Sequence, residues 1–191
     1  MLRMQRAVLL AALVAALIVP LPASGQKPAV NPNAATIKDF LKRVDDYVAL
    51  HKKLEATLPS LPKQTTPQQV DAHERALGKL ILEARANAKP GNILTPAMQR
   101  FVRLVLQPVF VGRAGAQIRD EITDREYKGN VRLTVNGRYP DEVPVSTMPP
   151  QVLESLPKLP EELEYRFILH SLILFDPHAH IIADFMERAF K

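Results

Sequence analysis

The spacing of apolar residues changes once along this chain, from steps of three and four to steps of two. That change restricts the fold more than any other feature of the sequence. Phe40, Val44, Tyr47, His51, Leu54 and Leu58 follow the helical spacing and predict one long amphipathic helix, which Pro59 and Pro62 stop. Thr66 followed by Pro67 is an N-cap with proline in the first helical position. The next stripe, Val70, His73, Leu77, Leu80 and Ala84, belongs to a second helix that ends at Lys89, Pro90 and Gly91. Together they are predicted to form an antiparallel hairpin. Thr95 and Pro96 repeat the start signal for a third helix through Phe101, Leu104, Val105 and Phe110. Pro108, Gly112 and Gly115 predict a kink or break before a last helical piece around residues 116–126. From Val131 the period is two: Val131, Leu133 and Val135 alternate with polar residues, and Asn136-Gly137 predicts a hairpin turn whose second arm starts at Arg138 and ends at Pro144. After a proline-rich link, residues 164–169, 172–175 and 180–185 read as three short strands in a meander. Helices first and an antiparallel sheet afterwards is the α+β pattern.

The N-terminus has its own logic. Arg3 and Arg6 precede an apolar run from Ala7 to Val19, followed by Pro20, Pro22, Ala23, Ser24 and Gly25. Positive charge, a short apolar run and small residues predict a secretory signal peptide over residues 1–25, cut before Gln26. The run is shorter than the ~20 residues that span a bilayer, so no stable membrane anchor is expected after cleavage. The chain contains no cysteine, which removes lipid attachment, disulfides and thiolate metal sites together. What is left, residues 26–191, has the length of a single domain, with 26–129 mainly helical and 130–191 mainly β. The formal charge of +5 includes the two signal arginines, and the remainder is too mild to argue for a polyanion partner.

Three segments carry a resemblance: FLKRVDDYVALHKKLEATLP (40–59), ARANAKPGNILTP (84–96) and LPKLPEELEYRF (156–167). The chain resembles a family of exported bacterial proteins without an assigned function, over most of the part that follows the signal. The resemblance implies a coherent exported domain and lends no activity, ligand or catalytic residue.

Two histidine clusters are the candidates for chemistry. Asp176-Pro177-His178-Ala179-His180 resembles the metal-binding D-x-H-x-H of amidohydrolases, in which histidines two apart on a strand share one ion. An amidohydrolase barrel needs about 250 residues with this motif at its start, whereas here eleven residues follow His180. A smaller site completed by His170 or Asp184 is one alternative; a turn flanked by edge histidines is the other. In the helical hairpin, a turn centred near residue 62 would place His51 level with His73, both on apolar stripes. Such a pair could ligate a metal, bracket a haem, bind an acidic ligand with Lys52 and Glu74 near the rim, take part in proton chemistry, or simply satisfy each other's hydrogen bonds in the core. Neither histidine has the Glu-x-x-His spacing of carboxylate-bridged sites, since Val48 and Val70 stand three residues before them. Arg100, Arg103, Arg113 and Arg119, with no acid between Thr95 and Asp120, read as the solvated side of a core helix or as a surface for anionic lipid or cell-wall polymer.

No set of residues converges on a catalytic motif, no cofactor is predicted, and stacking aromatics for nucleic acid are missing. The expectation is a non-catalytic exported module of the cell envelope that binds another envelope protein or a small ligand. The alternative is a metal-dependent enzyme or metal- or haem-binding protein built on His51 and His73 or on Asp176, His178 and His180.

Overall fold

The computed structural model describes residues 32–122, 131–144 and 148–190. The signal peptide assigned to residues 1–25 lies outside the described residues, as does the junction at 123–130. The described part is α+β, with five α-helices followed by a three-stranded antiparallel sheet. No described helix is long and apolar enough to cross a membrane.

Helix α1 (Pro32–Glu55) buries Phe40, Val44, Tyr47, Val48 and His51 on one side, as steps of three and four require. Asp39–Arg43 and Lys42–Asp46 ion pairs lie on its wet side. Helix α2 (Pro67–Ala84) starts in a complete capping box: the Thr66 hydroxyl accepts from the Gln69 amide while the Gln69 side chain accepts from the Thr66 amide. Helix α3 (Pro96–Leu106) is capped in the same manner by Thr95, whose hydroxyl accepts from the Met98 amide.

The expected break is real. Pro108 has no N–H to continue α3, and the chain tightens into a 3-10 turn over Gln107–Phe110 before α4 (Gly112–Ile122). Gly115 makes that corner possible, because a Cβ there would stand 2.2 Å from the carbonyl carbon of Phe110 and 2.6 Å from its oxygen. Backbone cannot step aside as a side chain can. Gly115→Ala is therefore expected to cost about 3 kcal/mol, the upper end of over-packing penalties, read as a lowered urea midpoint at constant m-value.

After the short helix α5 (Pro150–Ser155), strands β1 (Glu164–Ile168), β2 (Ser171–Asp176) and β3 (Ile181–Met186) pair in the order β1-β2-β3. β3 and β2 beyond Ser171 are buried throughout, because both faces of the sheet are covered. Leu172 and Leu174 pack with the helices in the larger core, while Ile173 and Phe175 pack with Tyr139, Val143 and Phe185 in a smaller one. A bulge between Leu174 and Phe175 in the pairing with β3 breaks the alternation on β3: Ala183 lies in the helical core and Phe185 in the other. Between them the fully buried Asp184 reaches the chain that precedes α3. Its carboxylate accepts from the amides of Gly91, Ile93 and Leu94, and from that of Phe185.

The hairpin predicted over 131–144 does not form as strands. The turn closes one residue earlier than expected, with the Gly137 amide donating to the Thr134 carbonyl and Asn136 taking a positive φ of 59°. The segment after it docks on the free edge of β3: Asn136 donates to the Ile182 carbonyl, Ile182 to Gly137, and Tyr139 to His180. An unpaired β3 edge offers these groups better partners than a second arm containing Pro140 and Pro144. Val131, Leu133 and Val135 cover the second face of the sheet instead of pairing with it.

Helices α1 and α2 run antiparallel, with Glu55 beside His73 at one end and the Arg85 guanidinium 4.9 Å above the Tyr47 ring at the other. His73 thus stands level with Glu55, about one helical turn from the position opposite His51 that a turn centred on residue 62 would give. The irregular link over residues 56–66 is long enough to let the helices slide by that amount.

Candidate metal centre

Tyr47, His51 and Glu55 are spaced by four residues and share one side of α1. Facing them is the β2–β3 turn, which begins at Asp176. The Asp176 side chain is fully buried, and one of its oxygens, Oδ1, accepts from the amides of His178 and Ala179, both at 3.0 Å. This is the local hydrogen bonding that aspartate before proline favours. Gly78 in α2 allows the turn to come close: a Cβ at that position would lie 3.2 Å from the Ala179 carbonyl and 3.1 Å from Ile181.

The second oxygen of Asp176, Oδ2, accepts from the Tyr47 hydroxyl at 2.6 Å and meets His51 Nδ1 at 2.7 Å. Oδ1 thus faces two backbone donors and Oδ2 faces the Tyr47 hydroxyl and His51 Nδ1, and a carboxylate can only accept. It follows that His51 donates from Nδ1, which leaves Nε2 as the free nitrogen. The imidazole is fully buried, and Nε2 has no hydrogen-bond partner. It lies 3.4 Å from Glu55 Oε2.

A bare basic nitrogen directed at a carboxylate is two electron-rich groups facing each other, an arrangement that attracts a cation. Burial disfavours the charged imidazole, but the hydrogen bond and charge of Asp176, with Glu55 behind them, outweigh it and raise the His51 pKa. Burial, then Asp176, likewise pushes the Tyr47 phenol well above its ordinary range, so it stays a neutral donor. Close by, the almost buried Glu162 pairs with Lys52 at 2.7 Å. Burial opposes its ionisation, yet Lys52 and more weakly His51 pull its carboxyl below the usual value.

His178 completes the group. Its Nδ1 lies 3.5 Å from Glu55 Oε1, and its ring centroid is 5.4 Å from that of His51. One ligand atom each from His51, Glu55 and His178 fall within 4.8 Å of one another. Two ligands held 2.0–2.1 Å from one zinc ion at the tetrahedral angle stand about 3.4 Å apart. The separations of 3.4 and 3.5 Å have that size, each to a different oxygen of the Glu55 carboxylate: His51 faces Oε2 and His178 faces Oε1. Asp176 stands behind His51 as the carboxylate that orients a metal-ligating imidazole does, and it is not itself a ligand.

The two clusters that the sequence presents separately therefore meet, and they meet selectively. His51 and His178 face the centre, and His73 borders it with Nε2 at 3.8 Å from Glu55 Oε1. His180 turns away. The strand that would have carried both histidines of the Asp176 motif on one side is a turn here, and His180 takes a positive φ of 51°. Its ring sits against Tyr139 and Phe175, with Glu74 and Asp141 each 3.9 Å from a ring nitrogen. His170 packs beside Phe190, and Asp184 is consumed by the loop amides, so neither completes the centre. Glu55 was invisible to a search for Glu-x-x-His; the signal was the reverse spacing, a carboxylate four residues after a stripe histidine. Comparison with protein-family models, with curated proteins and with solved structures finds no match.

Proposed function

We propose that this chain is an exported module that binds one divalent transition-metal ion through His51 Nε2, Glu55 and His178 Nδ1. The observation that carries the reading is the buried Nε2 of His51, which makes no hydrogen bond yet stands 3.4 Å from the Glu55 carboxylate, on an imidazole whose Nδ1 is held by Asp176. Two imidazoles and one carboxylate suit zinc and its first-row neighbours. Calcium and magnesium favour oxygen ligands, and cuprous ion favours sulfur. Export follows the signal-like N-terminus and fits a centre that needs no thiolate.

The expected result is one zinc per chain by elemental analysis of tag-free protein, and saturable Zn(II) binding by calorimetry that Glu55→Gln and His178→Ala both weaken. Both side chains are partly exposed, so the variants test ligation more than folding. A protein that takes up no stoichiometric Zn(II), and whose His51 carries protons on both ring nitrogens in 15N spectra near neutral pH, would replace the metal reading with a buried imidazolium between two carboxylates.

A further inference from the structure

We infer that His73 is the fourth protein ligand, which makes the centre a closed tetrahedral site rather than an open catalytic one; the inference rests on the metal reading above. His73 projects from α2 towards the same carboxylate oxygen of Glu55 that His178 approaches. Its Nε2 stands 3.8 Å from that oxygen, against the ~3.4 Å between two ligands of one tetrahedral zinc. His73 stands outside the three ligand atoms that lie within 4.8 Å of one another, so its ligation requires its side chain to turn towards His51 and His178 as the ion binds. The His73 side chain is 13 % exposed, and its one ion-pair partner among the described residues is Glu55. A histidine this enclosed, with no other charged partner, is available to a metal.

The arrangement has a chemical consequence. Three protein ligands leave room for water, and a metal-bound water is what hydrolytic zinc enzymes use. A fourth imidazole takes that position, so the ion is retained and not used to activate water. The four ligands also come from three parts of the fold: α1 supplies His51 and Glu55, α2 supplies His73, and the β2–β3 turn supplies His178. A bound ion would tie the helical hairpin to the sheet.

The test uses the full chain, Zn(II) for affinity and Co(II) for geometry. Wild type is expected to show the intense visible absorption of four-coordinate Co(II), unaltered by added azide. His73→Ala is expected to weaken Zn(II) binding by at least about 100-fold, the upper end of what losing a residue that merely orients a ligand costs. It should also render the Co(II) spectrum sensitive to azide, because a solvent position opens. His73→Cys guards against misfolding of the first variant: a thiolate-to-Co(II) charge-transfer band would place position 73 on the ion. If wild type binds one Zn(II) but its Co(II) spectrum shifts with azide, the fourth-ligand inference falls and the three-residue centre stands. An unchanged affinity in His73→Ala, or a His73→Cys protein that binds Co(II) without that band, has the same meaning. No metal binding by wild type removes both.

Discussion

Asp184→Asn is expected to lower the free energy of unfolding by about 3–5 kcal/mol, a large part of the 5–15 kcal/mol that stabilises an ordinary domain. The carboxylate is fully buried and accepts four backbone hydrogen bonds, two on each oxygen. An amide keeps one acceptor oxygen and directs its NH2 at two N–H groups, so donors face donors on whichever side it turns. Hydrogen bonds to a charged group contribute about 1.5–3 kcal/mol each, and the orphaned amides add their desolvation cost. Gly91, with φ at +89°, helps shape the concave run of amides that would hold an anion in other proteins, and here the anion is the protein's own side chain. Urea denaturation followed by circular dichroism gives the number. A loss under about 1 kcal/mol would mean that water reaches these amides and the carboxylate is not the tie between loop and sheet.

Asp176→Asn is expected to cost a similar amount, about 3–5 kcal/mol, and also to change how stability responds to pH. The substitution removes the buried charge that holds Tyr47 and His51: with its oxygen kept on the amides of His178 and Ala179, its NH2 meets Tyr47 and His51 Nδ1, which can accept it only if the phenol turns its proton away and the imidazole moves its proton to Nε2. The pH effect has a definite sign. Folding raises the His51 pKa above its unfolded value of about 6.5. The folded state therefore binds this proton more tightly than the unfolded one. The resulting stabilisation is fully present below pH 6.5 and is lost as pH rises from there through the folded pKa. Metal-free wild type should lose stability over that interval, and Asp176→Asn should lose that dependence. At the proposed centre Zn(II) competes with the same proton, so its affinity should rise with pH across the same range. Equilibrium unfolding of the metal-free protein at a series of pH values, set beside Zn(II) titrations, checks both. A wild-type stability that increases across the interval would contradict the Asp176–His51 linkage.

The stability of the sheet and the geometry of the centre differ in how far local sequence announces them. Thr66-Pro67 and Thr95-Pro96 announced both capped helix starts, because the cap hydrogen bonds span three residues and depend on little else. Pro108 announced the break after α3 for the same reason, since a missing N–H acts on its own turn. The three C-terminal strands were legible in short apolar runs between turn residues. The 131–144 segment was misread because its choice was between pairing with itself and pairing with β3, and that competition involves residues some forty positions away.

The candidate centre divides along the same line. The sequence by itself determined which side chains were available: two helical stripes bearing His51 and His73, and a chain without cysteine that removes thiolate from the possible metal ligands. It also determined the Asp176 turn with His178 and His180 beside it. Tertiary structure decided which of them meet. The slide between α1 and α2 puts His73 against Glu55, the closed turn after Asp176 separates His178 from His180, and the burial of Asp176 against Tyr47 sets the tautomer of His51. The turn after Asp176 is held by contacts two and three residues apart, but the other two features turn on contacts between residues 18 to 129 positions apart, across elements whose relative placement is fixed by packing of the whole core. Hydrophobic period and turn chemistry act within a few residues, so they specify elements well and the distances between those elements hardly at all.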